Sequence, residues 1–350
     1  MDLIIFIVAL SILVLVHEFG HFFAARRTGV KVEEFGLGLP PRIFGKKFGD
    51  TIYSINWLPI GGFCKLYGED GEGKGGEAFN HKKPWQKLII VLGGVLMNLV
   101  LAIAIFSVVY TILGVPKETD KVKIIGISKD SPAEKAGLKE EDIIFKVADK
   151  EIKNPSELTT EVAKYKGQIV KLKVYQFDKV EREINVEVRE NPPEGEGSIG
   201  IAISNTEMVK VPWYRIDEGI KAGFKEAYFW GKIIVGGVFK MIGGLFMGQI
   251  PKDVSGPIGM YEATSFINKN QGFLAVVHFF GIVSVNLAVV NILPFPALDG
   301  GRIIFVIYEM LTKRKANQKL EMVVNNIGMI LLLGLILLIT VGDISRVLKK

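Results

Sequence analysis

Cysteine and histidine are both scarce in this 350-residue chain, which has one cysteine, Cys64, and four histidines. A single thiol excludes an intrachain disulfide and any zinc site built from several cysteines, and it says little about redox compartment. With so few histidines, a pair of them four residues apart carries weight. No internal repeat and no low-complexity tract stands out. A basic stretch is also missing before the first apolar run, Leu3 to Val16, where a cleaved leader would carry one. That run continues through His17 and His21 to Ala25 before Arg26 and Arg27. As a helix, residues 3–25 rise about 35 Å, enough to cross a bilayer core, so a retained membrane helix is expected.

What the chain does have is apolar sequence in blocks. Hydrophobic residues make up 49% and charged residues 23%, and the mean hydropathy is +0.32. That is too apolar for an ordinary soluble enzyme and too charged for a pure membrane bundle, so apolar spans should alternate with at least one soluble module. The net charge of +6 gathers beside the apolar segments. Membrane orientation explains this better than a phosphate-binding face, and no nucleic-acid partner is expected.

Four segments can span: roughly 3–25, 88–113, 273–297 and 326–342. A fifth, Ile233 to Gly248, is glycine-rich, interrupted by Lys240 and short, and suits the interface or a re-entrant path. Residues 26–87 are dense in Lys and Arg, as is the stretch with Arg302, Lys313, Arg314, Lys315 and Lys319. Both read as cytoplasmic, and an even number of crossings separates them. The N-terminus and residues 114–272 then lie outside; the basic tail, Arg346, Lys349 and Lys350, runs against that count.

Between the spans, Thr51 to Pro59 alternates like a strand, Gly61-Gly62 marks a turn, and Phe63 to Gly68 alternates again, which predicts a hairpin. Residues 121–203 are soluble in character. Strands are expected at Val122–Ile127, Ile169–Tyr175, Glu183–Val188 and Ser198–Ile203, with a short helix opened by Ser156.

His17-Glu18-Phe19-Gly20-His21 is an HExxH pattern. On a helix both imidazoles share one face and can bind one zinc ion, while Glu18 beside them can take a proton from the attacking water and pass it to the leaving amine. The plainer alternative is a helix-end histidine pair with no metal. Ionisable groups at membrane depth are costly, however, and a metal gives all three a partner. Arg27 stands where a metzincin would carry its third histidine. A catalytic zinc takes three protein ligands and keeps an open position. His81 lies in a basic loop and His278 on an apolar span, so Asp299 is the better third ligand. In Asn291 to Arg302 two prolines, Pro294 and Pro296, force the chain out of helix just before it. The alternative for Asp299 is a helix cap.

HExxH ending the first span, paired with the N-x-x-P-x-P-x-L-D-G-G run ending a later one, resembles the site-2 protease family, and in particular bacterial members that cleave anti-sigma factors. The resemblance implies a multi-pass α-helical membrane protein of about four transmembrane helices, with a membrane-associated β-hairpin and an inserted α+β PDZ domain. It implies zinc (Zn2+) bound by His17, His21 and Asp299, Glu18 as general base, and substrate contacts at Asn291, Pro294, Pro296, Gly61 and Gly62. Asn98, in the second span, is expected to glue helices together. Gly256 to Gly259 matches the family's segment before the third span. The insert resembles a bacterial PDZ domain at Ser131 to Leu138 and Asp142 to Ile144; such domains add an extended chain to a sheet edge. Only one copy fits, where some family members carry two. The expected domains are 1–120 and 206–350, the halves of the membrane core, with the PDZ domain at 121–205. The expected activity is regulated intramembrane proteolysis of single-span membrane proteins such as anti-sigma factors or remnant signal peptides, in a bacterial cytoplasmic membrane. Its partners are then transmembrane substrates and the lipid bilayer. The zinc would lie near the cytoplasmic side and the PDZ domain outside. Two rivals are an inactive scaffold, against which the intact Glu18 argues, and an anchored protease acting on soluble loops.

Overall fold

The computed structural model describes residues 1–71, 73–176, 180–193, 195–210, 212, 215–247 and 256–347. They form two compact units, Met1–Ile112 with Trp213–Lys350, and Leu113–Pro212. The chain begins with α1 (Asp2–Arg27), β1 (Val32–Phe48), β2 (Thr51–Leu66) and α2 (Pro84–Leu113). The insert holds β3 (Val115–Ile127), α3 (Pro132–Lys135), β4 (Ile143–Val147), β5 (Lys150–Glu151), α4 (Pro155–Val162), β6 (Ile169–Tyr175), β7 (Glu181–Glu187) and β8 (Ile201–Val209). The chain then continues through α5 (Ile216–Phe246), α6 (Pro257–Gln271), α7 (Phe273–Ile292), α8 (Asp299–Thr312) and α9 (Gln318–Val347).

Among the described residues, four helices are long and apolar enough to cross a membrane: α1, α2, α7 and the Lys319–Asp343 part of α9. In α1, Asp2 in the first turn and Arg26 and Arg27 in the last match the helix dipole. Asp2 also accepts hydrogen bonds from Ser265 Oγ (2.7 Å) and Asn268 Nδ2 (3.0 Å), which fastens α1 to α6. Asp343 of α9 accepts the backbone N–H groups of Gly256 and Gly259 at 2.9 and 3.0 Å, satisfying the start of α6.

Several expected boundaries move for identifiable reasons. The helix of the third span stops at Ile292, five residues before the apolarity ends, because Pro294 forces Leu293 into extended backbone (ψ 142°). The second begins at Pro84, a residue suited to a first helical turn, and not at 88. The stretch from Ile233 belongs to the 31-residue α5; Gly248 lies outside the described residues, as do Lys349 and Lys350.

The expected reversal before Phe63 is present, and it is not the sheet's only one. β2 is bent: residues 52–55 run parallel to residues 34–37 and residues 62–65 antiparallel to them, so the chain turns between Ile55 and Gly62, with Gly61 at positive φ (+81°). A second reversal, at Gly49 (φ +58°) and Asp50, joins β2 to the 17-residue β1, which Pro40, Pro41 and interspersed glycines hide from a reading of alternation. Residues 34–37 lie beside both arms of β2, opposite Lys65 to Gly62 and alongside Ile52 to Ile55. Residues 39–48 of β1 are all exposed. With Ile43, Phe44, Phe48, Trp57 and Leu58 bare, this end of the sheet is apolar enough to meet lipid.

The insert is a separate sheet of order β7-β6-β4-β3-β8, with β5 paired to β4. Alternate residues Val122 and Ile124, Leu172 and Val174, with Ile144 and Val186, form its fully buried core beneath Leu158 of α4. Its short helices have side-chain caps: Ser131 Oγ accepts from the Glu134 N–H, and Asn154 Oδ1 from the Glu157 N–H. The second helix thus opens at Asn154, not at Ser156, because Asn154 supplies the cap and Pro155 the first turn.

Candidate metal centre

The four-residue spacing on α1 sets His17 and His21 on one face, ring centroids 4.8 Å apart and edge to face. Their Nε2 atoms are 3.2 Å apart. Asp299 Oδ2 lies 3.1 Å from His17 Nε2 and 3.4 Å from His21 Nε2. Ligand atoms of a tetrahedral zinc with bonds of about 2.0–2.1 Å are about 3.3 Å apart, so this triangle fits the ion. Without a cation, three electron-rich atoms would face one another in a largely buried place. Among the described residues no other set of three His, Cys, Asp or Glu side chains converges in this way.

Two close approaches make the triangle possible. Gly20 of α1 and Gly93 of α2 sit so tightly that a Cβ on either would strike the other's carbonyl group. Gly94, next along, leaves room for both imidazoles. Asp299 begins α8, and Gly300 behind it presses on the carbonyl groups of Ile292 and Leu293 at the end of α7. The broken helix thereby folds back and carries the carboxylate to α1. Leu298 holds the N-cap position of α8, and Asp299 stands in its first turn.

Each imidazole has an outer partner. His21 Nδ1 lies 2.9 Å from the Ile90 carbonyl oxygen, so Nδ1 carries the proton and Nε2 keeps its lone pair. His17 Nδ1 lies 3.3 Å from the Asn98 carboxamide. For Nε2 to ligate, Nδ1 must donate, so the carboxamide must present Oδ1; that atom is buried and has no other partner. Asn98 is fully buried, and its backbone carbonyl accepts the Ser284 hydroxyl of α7 at 2.7 Å. The helix-gluing role expected for Asn98 is therefore met by its backbone, while its side chain faces the imidazole. One sequence signal pointed there: four residues separate Gly94 from Asn98, placing both on the α2 face that meets α1.

A cavity of about 430 Å³ opens on this triangle and is also lined by Glu18, Cys64 and Asn291. Glu18 lines it beside Cys64, and Asn291 Nδ2 lies 3.4 Å from His17 Nε2. Burial, then Glu18 and Glu69, push the Cys64 thiol up, away from the thiolate that metals bind. Pro294 and Pro296 do not line the cavity; Pro296 packs on Gly328 of α9. Gly61 and Gly62 lie against Val14 and Leu15 of α1, just before Phe63 and Cys64 reach the cavity wall. His278 lies elsewhere, beside Glu226 and the rings of Phe106 and Tyr110.

Apolar helices long enough to span, with two imidazoles and a carboxylate meeting beside a second carboxylate, fit the class of membrane metallohydrolases. The chain belongs to peptidase family M50, whose description matches residues 5–335. It is 34% identical over 343 residues to a Clostridium acetobutylicum protein named "Putative zinc metalloprotease", covering 98% of this chain and 97% of the other. A protein of the same name from Clostridium perfringens is 33% identical, with 98% of each chain covered. Among solved structures, PDZ domains of SdrC-like proteins from Listeria monocytogenes and Listeria innocua align at 21% and 24% identity, with a TM-score of 0.22 each. They cover 24% and 26% of this chain and 87% and 100% of their own. The protein is a zinc metalloendopeptidase of the membrane-protease family.

Proposed function

We propose that His17, His21 and Asp299 hold the zinc, that Glu18 is the general base, and that the enzyme cleaves single-span membrane proteins, such as anti-sigma factors or remnant signal peptides, within or beside their spans. The observation that carries this reading is the Nε2, Nε2, Oδ2 triangle with edges of 3.1 to 3.4 Å next to Glu18. Zinc, when bound, supplies a Lewis acid that lowers the pKa of water and polarises a carbonyl. Glu18, which lines the same cavity, takes the proton from the attacking water and delivers it to the leaving nitrogen. Asn291 is free to donate its amide to substrate backbone, because a ligating His17 Nε2 cannot also accept from it.

A helical substrate shields its peptide bonds, so it must unwind before cleavage. The Phe63–Leu66 end of β2 offers an edge for the unwound segment, and Phe63, Cys64 and Leu66 line the catalytic cavity. The Lys/Arg-rich stretches put the zinc toward the cytoplasmic side and the insert, which follows the far end of α2, across the membrane. In that position a PDZ domain would screen substrate ectodomains.

The test is a pair of variants of the full chain. Glu18→Gln should retain zinc and lose cleavage of a transmembrane peptide, and Asp299→Ala should lose zinc. Cleavage surviving in the first would remove Glu18 as base; unchanged metal content in the second would remove Asp299 as ligand.

A further inference from the structure

We propose that a cavity between the start of α2 and the end of α8 binds the phosphate headgroup of an anionic phospholipid. The cavity measures about 420 Å³ and is lined by five basic side chains, those of Lys82, Lys87, Lys313, Arg314 and Lys315, against one carboxylate, Glu309. That carboxylate is already engaged. Its Oε2 lies 2.8 Å from Lys87 Nζ, both side chains being about nine-tenths buried, and its Oε1 accepts the Ala316 N–H at 3.1 Å. The second bond has a structural consequence. Lys313 ends α8 in left-handed backbone (φ +56°), and Glu309 ties the turn 313–316 back against the helix, fixing three consecutive cations at the cavity. Among the described residues no acidic side chain pairs with Lys313, Arg314 or Lys315, and Lys82 Nζ donates only to the Thr28 carbonyl, at 2.8 Å. Four positive charges therefore converge without a counter-ion from the protein.

Orientation by the positive-inside rule accounts for basic residues on one side of a membrane but not for a concave group of them with an apolar rim. Trp85 stands in the first turn of the spanning helix α2 and is 51% exposed. Leu311 is 79% exposed, and Ile304, Ile307 and Met310 of α8 are also bare. Cations to hold a phosphate, an indole at headgroup level and an apolar flank for acyl chains match one ligand with a charged head and a greasy tail. Free phosphate would leave that apolar rim uncovered.

The test uses the full chain in mild detergent, titrated with phosphatidylglycerol, phosphatidylcholine or inorganic phosphate, with bound molecules counted by native mass spectrometry. Wild type should retain phosphatidylglycerol in preference to phosphatidylcholine. Each removed charge should weaken binding about fivefold, so K313Q/R314Q/K315Q should bind about a hundredfold less tightly. Arg314→Gln alone, in an exposed turn, guards against misfolding of the triple variant. A K129Q/K135Q/K139Q variant loses as much charge on exposed positions of the insert and should bind like wild type. Equal retention of phosphatidylglycerol by wild type and the turn variants would overturn the site. So would equal loss in the insert variant, which would mean a bulk-charge effect, or inorganic phosphate displacing the lipid at matching affinity, which would mean a free-anion site.

Discussion

Replacing Asn98 by leucine should weaken zinc binding without removing any of the three proposed ligands. Leucine has the branching and heavy-atom count of asparagine but bulkier terminal groups, so at this fully buried position packing controls are needed beside it. What disappears is the acceptor 3.3 Å from His17 Nδ1. His17 is itself 8% exposed, so water cannot readily replace the lost partner. An unpaired buried donor costs about 1–3 kcal/mol. Outer partners of ligating histidines are typically worth about ten- to a hundredfold in metal affinity, or about 1.4–2.7 kcal/mol. The two ranges overlap, and a loss of about ten- to a hundredfold is the expectation.

Competition with a chromophoric zinc chelator on the detergent-purified protein measures this directly. Two further variants separate positioning from packing. Asn98→Asp restores an acceptor and should recover most of the affinity. Ser284→Ala removes the hydroxyl that binds the Asn98 backbone, yet leaves the carboxamide in place, so its effect on zinc should be the smaller one. If Asn98→Leu holds zinc as tightly as wild type, or if Ser284→Ala costs as much, Asn98 merely joins helices.

Gly94→Ala would set a Cβ 2.7 Å from His17 Cε1 and closer still to His21 Nε2, so metal content should fall while far-UV circular dichroism stays unchanged. Cysteine labelling of Lys46→Cys and Lys315→Cys should report one side of the membrane and Lys150→Cys the other, with wild type as the control for Cys64; labelling of positions 46 and 150 from the same side would break the proposed sidedness. Deleting residues 122–203 across a short flexible linker leaves Val115–Glu118 opposite Thr206–Val209, and should preserve cleavage of a bare transmembrane peptide. The same deletion should alter the preference between long-ectodomain and trimmed substrates; an unaltered ratio would make the insert a spacer.

How much of this could be read before folding depends on the distance over which each feature is encoded. His17, Glu18 and His21 are legible because one helix fixes their spacing within two turns. The break before Asp299 is legible because Pro294 and Pro296 forbid helix locally, whatever packs around them. The outer partners are not. Asn98 and Ile90 reach the imidazoles across sequence separations of 81 and 69 residues, and a polar residue in an apolar span does not say which neighbour it faces. The sheet was legible only in part. Alternation located the two halves of β2 and the turn between them, but β1 and the reversal at Gly49-Asp50 stayed hidden because the prolines of β1 break its alternation.

The close packing of the site also explains why the glycines there are functional in effect although none touches a substrate. The proposed ligand triangle, with 3.1 to 3.4 Å edges, needs α1 to approach α2 closely and α8 to return to the end of α7. Side chains at Gly20, Gly93 or Gly94 would push the first pair apart, and one at Gly300 would strike the carbonyl groups that α8 rests on. A displacement of half an ångström is already a large error for a metal ligand. The His-x-x-x-His spacing therefore supplies the ligand types and one shared face, whereas backbone contact between helices supplies the distances. A chain with the same ligands and alanine at these four glycines should fold its spans and fail to close the metal site.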